Sequence, residues 1–361
     1  MTSRRQMAMA LLGAVVFFLA VQIGALALVE PFREAGYRAV ENPQNPMNSV
    51  LYLAVILIAT ALMLVLFRLE RTGLLRAFLV ATSGLIAGYV FSVLLPAEPT
   101  LGPTSVSLFT VIGVGLVIVG LLVYPEWWVI DASALIMGMG AAALFGISFD
   151  VLPAILLLSA LAVYDAISVY GTEHMLSLAS GVMELRVPVI VIIPTTLGYS
   201  FIEMADEMAS DVDSAGERES NQADSPSDGT HPTASGDDTP DGASEPIRDG
   251  DGESTQSPDD DEPFERDAFF IGLGDAVMPT ILVASATAFL DVPTVFGIGL
   301  PSLGAMTGTL VGLLVLLRMV LAGRPHAGLP LLNGGAIGGY IIGAFASGIP
   351  LLQALGLAPY L

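Results

Sequence analysis

Apolar residues are clustered along the chain in nine runs of about twenty residues, the length at which a helix spans the hydrocarbon core of a bilayer. We therefore predict an all-α membrane protein with nine transmembrane helices. The first run is longer than the apolar core of a secretory signal peptide, so we interpret it as a retained helix. The predicted spans cover residues 7–28, 48–67, 74–95, 105–124, 129–147, 151–170, 268–290, 295–319 and 328–354.

The composition agrees with this assignment. Hydrophobic residues make up 54% of the 361 positions and charged residues only 13%, with a mean hydropathy of +0.74, whereas a soluble domain has about a quarter charged residues. The net charge of −22 is concentrated between residues 203 and 267, which contain 22 acids and 3 arginines. This Ser-, Gly-, Asp- and Pro-rich segment lacks the apolar area that would offset the entropy of ordering, so we predict that it is disordered.

These features divide the chain into three parts. We predict transmembrane helices 1–6 and a short following element in residues 1–200, an acidic disordered loop in 201–266, and helices 7–9 in 267–361. Residues 171–194 are too interrupted for a tenth span, and we interpret them as a helical extension or an interfacial element. Eleven of the 13 arginines fall on one side if the N-terminus is cytoplasmic. The positive-inside rule then predicts a multi-pass protein of the cell membrane with a cytoplasmic loop.

The residue types that are missing exclude several functions. The chain has no cysteine, which excludes disulfides, thiol catalysis and cysteine-ligated metals. It has no lysine, so a retinal Schiff base is excluded. The His-Glu-x-x-His motif of zinc proteases does not occur among its three histidines. We expect no cofactor and no metal.

Two acids lie well inside predicted spans, where a charge costs about 2.5–3.5 kcal/mol on insertion scales. Asp165 lies about five residues from the inner end of span six, and Asp275 about eight residues after the inner start of span seven. At about 1.5 Å per residue their depths are similar, so the two acids can face each other across antiparallel helices. Because two adjacent carboxyls do not both ionise readily, we expect them to share one proton.

Such a pair fits more than one function. An ionised and a protonated carboxyl together can activate water and polarise a peptide carbonyl, which is the chemistry of aspartic proteases. Paired acids at matched depth also occur in cation- or proton-coupled transporters, and a buried aspartate can be a structural hydrogen-bond hub. Gly272 and Gly274 leave room beside Asp275 for a partner helix or an extended substrate. The residues alone leave these alternatives open.

Three motifs resemble the presenilin and signal peptide peptidase family of intramembrane aspartyl proteases. They are Tyr164-Asp165 in span six, Gly272-Leu273-Gly274-Asp275 in span seven, and Leu329-Pro330-Leu331-Leu332 at the start of span nine. The family carries Tyr-Asp, Gly-x-Gly-Asp and Pro-Ala-Leu motifs on spans six, seven and nine of nine. The acid-rich, lysine-free composition is what we expect of an archaeal, halophilic homologue.

The resemblance implies an endopeptidase that cleaves transmembrane helical proteins within the lipid bilayer and needs no nucleic acid. It implies that Asp165 and Asp275 are catalytic. The residues expected to line the active site or bind substrate are Tyr164, Gly272, Leu273, Gly274, Pro330, Leu331 and Leu332. Two features depart from the family pattern: Leu331 replaces the alanine, and Asn333 stands where presenilins have a second proline. The acidic loop also lacks the apolar stretch at which presenilins cleave themselves.

The substrate must be locally unwound, because a helix hides its peptide bonds in its own hydrogen bonds. We expect extended substrate to pair as a strand near Pro330–Leu332 and with the residues before Asp275. The glycines that follow Asn333 predict a helix that packs tightly against a neighbour.

Overall fold

The computed structural model describes residues 4–69, 71–98, 100, 106–171, 190–194, 200, 202, 268–321 and 327–358. Apart from residue 202, the predicted acidic loop lies outside these ranges, as do residues 172–189. The helices are Arg4–Glu34 (α1), Met47–Arg68 (α2), Thr72–Leu94 (α3), Leu108–Val123 (α4), Trp127–Ser148 (α5), Val151–Gly171 (α6), Leu273–Phe289 (α7), Leu300–Leu321 (α8), Gly328–Ala346 (α9) and Leu351–Ala354 (α10). The strands are Ile190–Pro194 (β1), Ala268–Gly272 (β2), Thr294–Val295 (β3) and Ile298–Gly299 (β4).

Each predicted span coincides with one of the helices α1–α9. In the described ranges, seven helices have the length and hydropathy needed to cross a membrane. Helices α4 and α7 are apolar but shorter, with 16 and 17 residues. The structure is therefore that of a mostly helical, multi-pass membrane protein. Nine crossings and a cytoplasmic N-terminus stay predictions.

The prediction of an all-α fold is confirmed in that the structure is mostly helical, but it missed two short sheets, one of them the antiparallel pair β1–β2. Residues 190–194 are a strand rather than part of a helical extension, and residues 268–272 are its partner rather than the first turn of span seven. Both segments are short, apolar and rich in β-branched or aromatic residues. Periodicity does not separate such runs from buried helix, whereas pairing satisfies their backbone groups in an apolar environment.

The predicted ends of spans eight and nine also differ from the structure. Residues 294–299 form the β3–β4 hairpin, so α8 begins only at Leu300. Phe296 and Gly297 have φ angles of 54° and 81°, the two left-handed positions of a type I′ hairpin turn. Span nine ends earlier than predicted, because Gly348 has a φ of 78° and Pro350 follows it. The chain resumes in the short helix α10.

Helix α7 lies at the centre of the helical bundle. Its side chains are buried almost continuously from Ala276 to Ala286, and it packs against α1, α5, α6, α8 and α9. Helix α7 is thus held by several helices at once.

Helix α2 is peripheral and exposes large apolar side chains, among them Leu51, Ile58 and Leu62. An exposed apolar face of this kind suits contact with lipid chains.

Glycines bring the backbones of α8 and α9 into direct contact. Gly304, Gly308 and Gly312 recur every fourth residue on one face of α8. A Cβ atom at any of them would overlap a backbone carbonyl of α9, those of Gly339, Gly335 and Leu331 respectively. This confirms the prediction that the glycine-rich helix packs tightly, as small residues allow between membrane helices.

Candidate active site

Helix α6 carries the Tyr-Asp motif in its last two turns. Asp165 is partly buried, and its Oδ2 accepts a hydrogen bond from the backbone N–H of Leu329 at 3.0 Å. Leu329 lies in the first turn of α9, where backbone N–H groups have no partner within the helix. Ala327, the N-cap residue of α9, makes no side-chain cap. Asp165 therefore caps this helix from a neighbouring one.

The Gly-x-Gly-Asp motif lies at the junction of β2 and α7. The strand ends at Gly272 and the helix begins at Leu273, which places Asp275 in the first turn of α7. A Cβ at Gly272 would lie 3.5 Å from the Asp275 Oδ2, an ordinary van der Waals distance, so this carboxyl lies directly beside the glycine. Leu273 is buried, whereas Gly274 is exposed and no described residue packs where its Cβ would lie. Within the described part of the chain, the Cβ position of Gly274 is therefore open.

The start of α9 lies beside both acids. A Cβ at Gly328 would come within 3.4 Å of the Asp275 Oδ2, and the next residue, Leu329, donates to Asp165. Both carboxyls therefore lie beside the same turn of α9. Pro330 sits in the first helical turn, where its missing N–H removes no helical hydrogen bond. Leu331 is partly buried, and Leu332 is fully buried in the core.

Among the residues that the structure describes, no cation pairs with either acid. Within the described ranges neither Asp165 nor Asp275 has a salt-bridge partner, and no group of three or more metal-ligating side chains is present. Tyr164 is exposed beside Asp165 on the surface of α6. The arrangement therefore provides two carboxyls beside the same turn of α9, backbone donors to Asp165 and an open glycine next to Asp275. This equipment is suited to proton transfer.

Three residues of this region were not among the predicted site residues. Gly328 precedes the Leu-Pro-Leu-Leu motif, and its Cβ position lies 3.4 Å from the Asp275 Oδ2. Asn333 is fully buried, and its Nδ2 donates to the carbonyl oxygen of Leu158 in α6 at 3.0 Å, about two turns before Asp165. Asp131 of α5 accepts a hydrogen bond from the N–H of Ile192 in β1 at 2.8 Å. The position of Asp131 within an apolar helix was the one sequence signal that could have identified it.

Known proteins resemble the chain over most of its length. The sequence profile of the signal-peptide peptidase, presenilin aspartyl protease family matches residues 15–349. A solved structure of a presenilin family intramembrane aspartate protease in space group C222 is 31% identical, covers 93% of this chain and 99% of its own, and gives a TM-score of 0.58. A second, in space group P2, is 33% identical over 93% and 97%, with a TM-score of 0.56.

In all, eleven solved chains match, while no curated protein does. The titles of both solved relatives describe intramembrane aspartate proteases. The family profile covers all three sequence motifs and both acids of the site described above. The chain belongs to the signal-peptide peptidase and presenilin family of aspartyl proteases.

Proposed function

We propose that this protein is an intramembrane endopeptidase that hydrolyses peptide bonds within transmembrane segments, with Asp165 and Asp275 as its catalytic pair. The observation that carries the proposal is that one turn of α9 lies beside both carboxyls: Leu329 donates to Asp165, and the Cβ position of Gly328 is 3.4 Å from the Asp275 Oδ2. Two acids held at one place by a third helix form a constrained pair rather than two independent polar residues. Neither the family profile nor the solved relatives support the alternative of a cation- or proton-coupled transporter.

The contacts support a role for each acid. The Leu329 N–H and the N-terminus of α9 stabilise negative charge on Asp165, so Asp165 is the ionised member that takes a proton from the attacking water. As the water oxygen bonds to the carbonyl carbon, Asp275 donates the shared proton to the carbonyl oxygen, which gives a gem-diol. The C–N bond then breaks: the proton taken by Asp165 passes to the leaving nitrogen, and a gem-diol hydroxyl returns its proton to Asp275. One water is consumed for each peptide bond cleaved, and the pair regains its starting protonation.

The substrate reaches this pair in an extended conformation. Strand β2 leads without a loop into the first turn of α7, so a segment paired with β2 passes close to Asp275. Strand addition supplies backbone hydrogen bonds to a peptide that has lost its helical ones. The exposed Gly274 offers space for that peptide. The substrates are therefore membrane-spanning proteins whose helix unwinds at the cleavage site.

The test is cleavage of a transmembrane reporter by the purified protein in liposomes. Asp165→Ala and Asp275→Ala, each shown to be folded, should both abolish cleavage. Asp291→Asn serves as the matched control, because Asp291 is an exposed acid beyond the opposite end of α7 and should not affect cleavage. Activity retained in either alanine variant would exclude a two-aspartate mechanism. Ion-dependent flux without proteolysis would instead support a transporter.

A further inference from the structure

The β1–β2 sheet has two outer edges, and a substrate strand could in principle add to either. The register pairs Val191 with Ile271 and Ile193 with Phe269, while Ile192 is opposite Phe270. In an antiparallel pair, residues alternate between those whose backbone groups point at the partner strand and those whose groups point away. The edge that remains open therefore depends on where the N–H of Ile192 points.

The hydrogen bond to Asp131 answers this question. The Ile192 N–H donates to Asp131 Oδ1 at 2.8 Å, so it points away from β2. Val191 and Ile193 then make the bonds to β2, and Ile190, Ile192 and Pro194 present their backbone groups on the outer edge of β1. On β2, by the same alternation, Ala268, Phe270 and Gly272 point outward.

The two outer edges are unequal as templates for a further strand. On β1, the central N–H is occupied by Asp131, and Pro194 has no N–H at all. Blocking an edge with an acid and a proline is how sheets avoid unwanted pairing. On β2, no side chain of the described residues accepts a hydrogen bond from the N–H of Phe270 or Gly272, and neither residue is proline. Gly272 is also the residue beside the Asp275 carboxyl.

The outer edge of β1 faces a cavity that is large enough to hold a substrate segment paired with the wrong strand. A cavity of about 460 Å³ lies between α1, α5 and β1, and Asp131 forms part of its wall. Apart from Asp131 its lining is largely apolar, with Phe17, Trp127 and Leu135 among the contributors. An apolar peptide segment would fit there if the strand edge were free. Asp131 occupies the backbone donor that such a segment would need.

We propose that Asp131 is a positioning residue for proteolysis: it closes the outer edge of β1, so that extended substrate adds to the edge of β2 that leads into Asp275. The proposal rests on the proposed function above. Asp131 touches neither substrate nor the reacting atoms; it acts through Ile192 and the sheet. Its loss frees the β1 edge and loosens the strand that precedes the catalytic acid.

The first measurement is independent of proteolysis. Hydrogen–deuterium exchange at amide resolution in detergent compares wild type with Asp131→Ala, Asp131→Leu and Asp131→Asn. A hydrogen bond to a charged group is worth about 10- to 100-fold in an equilibrium, so exchange of the Ile192 amide should accelerate about tenfold or more in the alanine and leucine variants. Asparagine keeps the accepting Oδ1 and should preserve slow exchange. The leucine variant keeps the site filled if the alanine variant does not fold.

The second measurement locates the cuts in a transmembrane reporter by mass spectrometry and separates KM from kcat. The alanine and leucine variants should raise KM about two- to tenfold, with a smaller change in kcat. They should also add products displaced by about two residues, the repeat of a strand. Asp131→Asn should restore the wild-type cuts, and Asp291→Ala, which removes an exposed acid elsewhere, should not change them.

Each outcome decides one claim. Unchanged Ile192 exchange in both the alanine and leucine variants would overturn the edge-closing role of Asp131. Faster exchange with unaltered cuts and KM would overturn its role in substrate positioning while leaving the edge contact intact. A wild-type protein that cleaves no reporter would refute the proposed function instead, and the exchange result would still report on the sheet.

Discussion

Replacing Gly312 by alanine should strongly lower the rate of cleavage, although Gly312 lies outside the proposed active site. Gly312 lies on α8, and its added Cβ would overlap the carbonyl oxygen of Leu331 and approach the Leu331 carbonyl carbon to 3.1 Å. Carbon atoms prefer a separation of about 3.5–4.0 Å, so α9 must move by about 1 Å at this point. Leu331 is two residues from Leu329, whose N–H holds Asp165. The shift therefore reaches the acid pair that we propose to be catalytic.

The expected losses of stability and of rate separate a catalytic effect of Gly312→Ala from a purely structural one. Overpacking of this kind costs about 1–3 kcal/mol of stability, and a misplacement of about 1 Å costs about 100-fold in rate. Gly343→Ala provides the comparison, because its Cβ would overlap the carbonyl of Leu300 at the far end of the same α8–α9 contact. We expect both variants to lose similar stability. Only Gly312→Ala should lose about 100-fold in kcat.

The assay combines thermal unfolding in detergent with single-turnover cleavage of a transmembrane reporter. Gly334→Ala is the neutral control, since no described atom lies within 4 Å of its Cβ position and alanine favours a helix by about 1 kcal/mol over glycine. A Gly312→Ala variant that is folded and keeps kcat within about threefold of wild type would refute the reasoning. So would an equal loss of kcat in Gly343→Ala, since the effect would then follow stability.

Three further predictions concern protons, the loop and the substrate. If Asp165 and Asp275 share one proton, kcat/KM should follow a bell-shaped pH profile, falling at low pH as the carboxylate is lost and at high pH as the shared proton is lost; a rate independent of pH would contradict this. Replacing residues 210–260 by a short Gly/Ser linker should preserve cleavage in liposomes, because the sequence predicts a disordered segment, which would supply no fixed geometry, and a folded but inactive deletion would mean that the loop gates the site. Reporters with glycine or proline near the cut should be cleaved faster than those with a uniformly strong helix former, and equal rates would show that unwinding does not limit the reaction.

The sequence predicted those features that depend on composition over a whole helix. Each long apolar run became a helix, and the glycine-rich start of α9 packs against α8 as expected. Shorter features could not be predicted from the sequence. The apolar runs that form β1 and β2 are too short for a helical and an extended period to differ, and their pairing joins segments on either side of the acidic loop.

Roles that depend on a single hydrogen bond could not be predicted from the sequence either. Asn333 reads as a departure from the family motif, yet its side chain donates to Leu158 and links α9 to the helix that carries Asp165. A proline at that position would have no such donor. Asp131 lies near the start of an apolar helix, and only the structure shows that it binds a strand. Distance in sequence gives no indication of either contact.

The way in which Asp165 is held bears on why the pair can work at all. A cation beside two carboxyls would favour ionisation of both, and the proton that a general acid must donate would be lost. In the described part of the chain, Asp165 receives neutral backbone N–H groups from the start of α9 instead of a salt bridge, and Asp275 lies beside the same turn, at Gly328. Neutral backbone donors orient one carboxyl without neutralising the pair. The start of α9 is thus placed beside both acids in a way that is compatible with the shared proton proposed above.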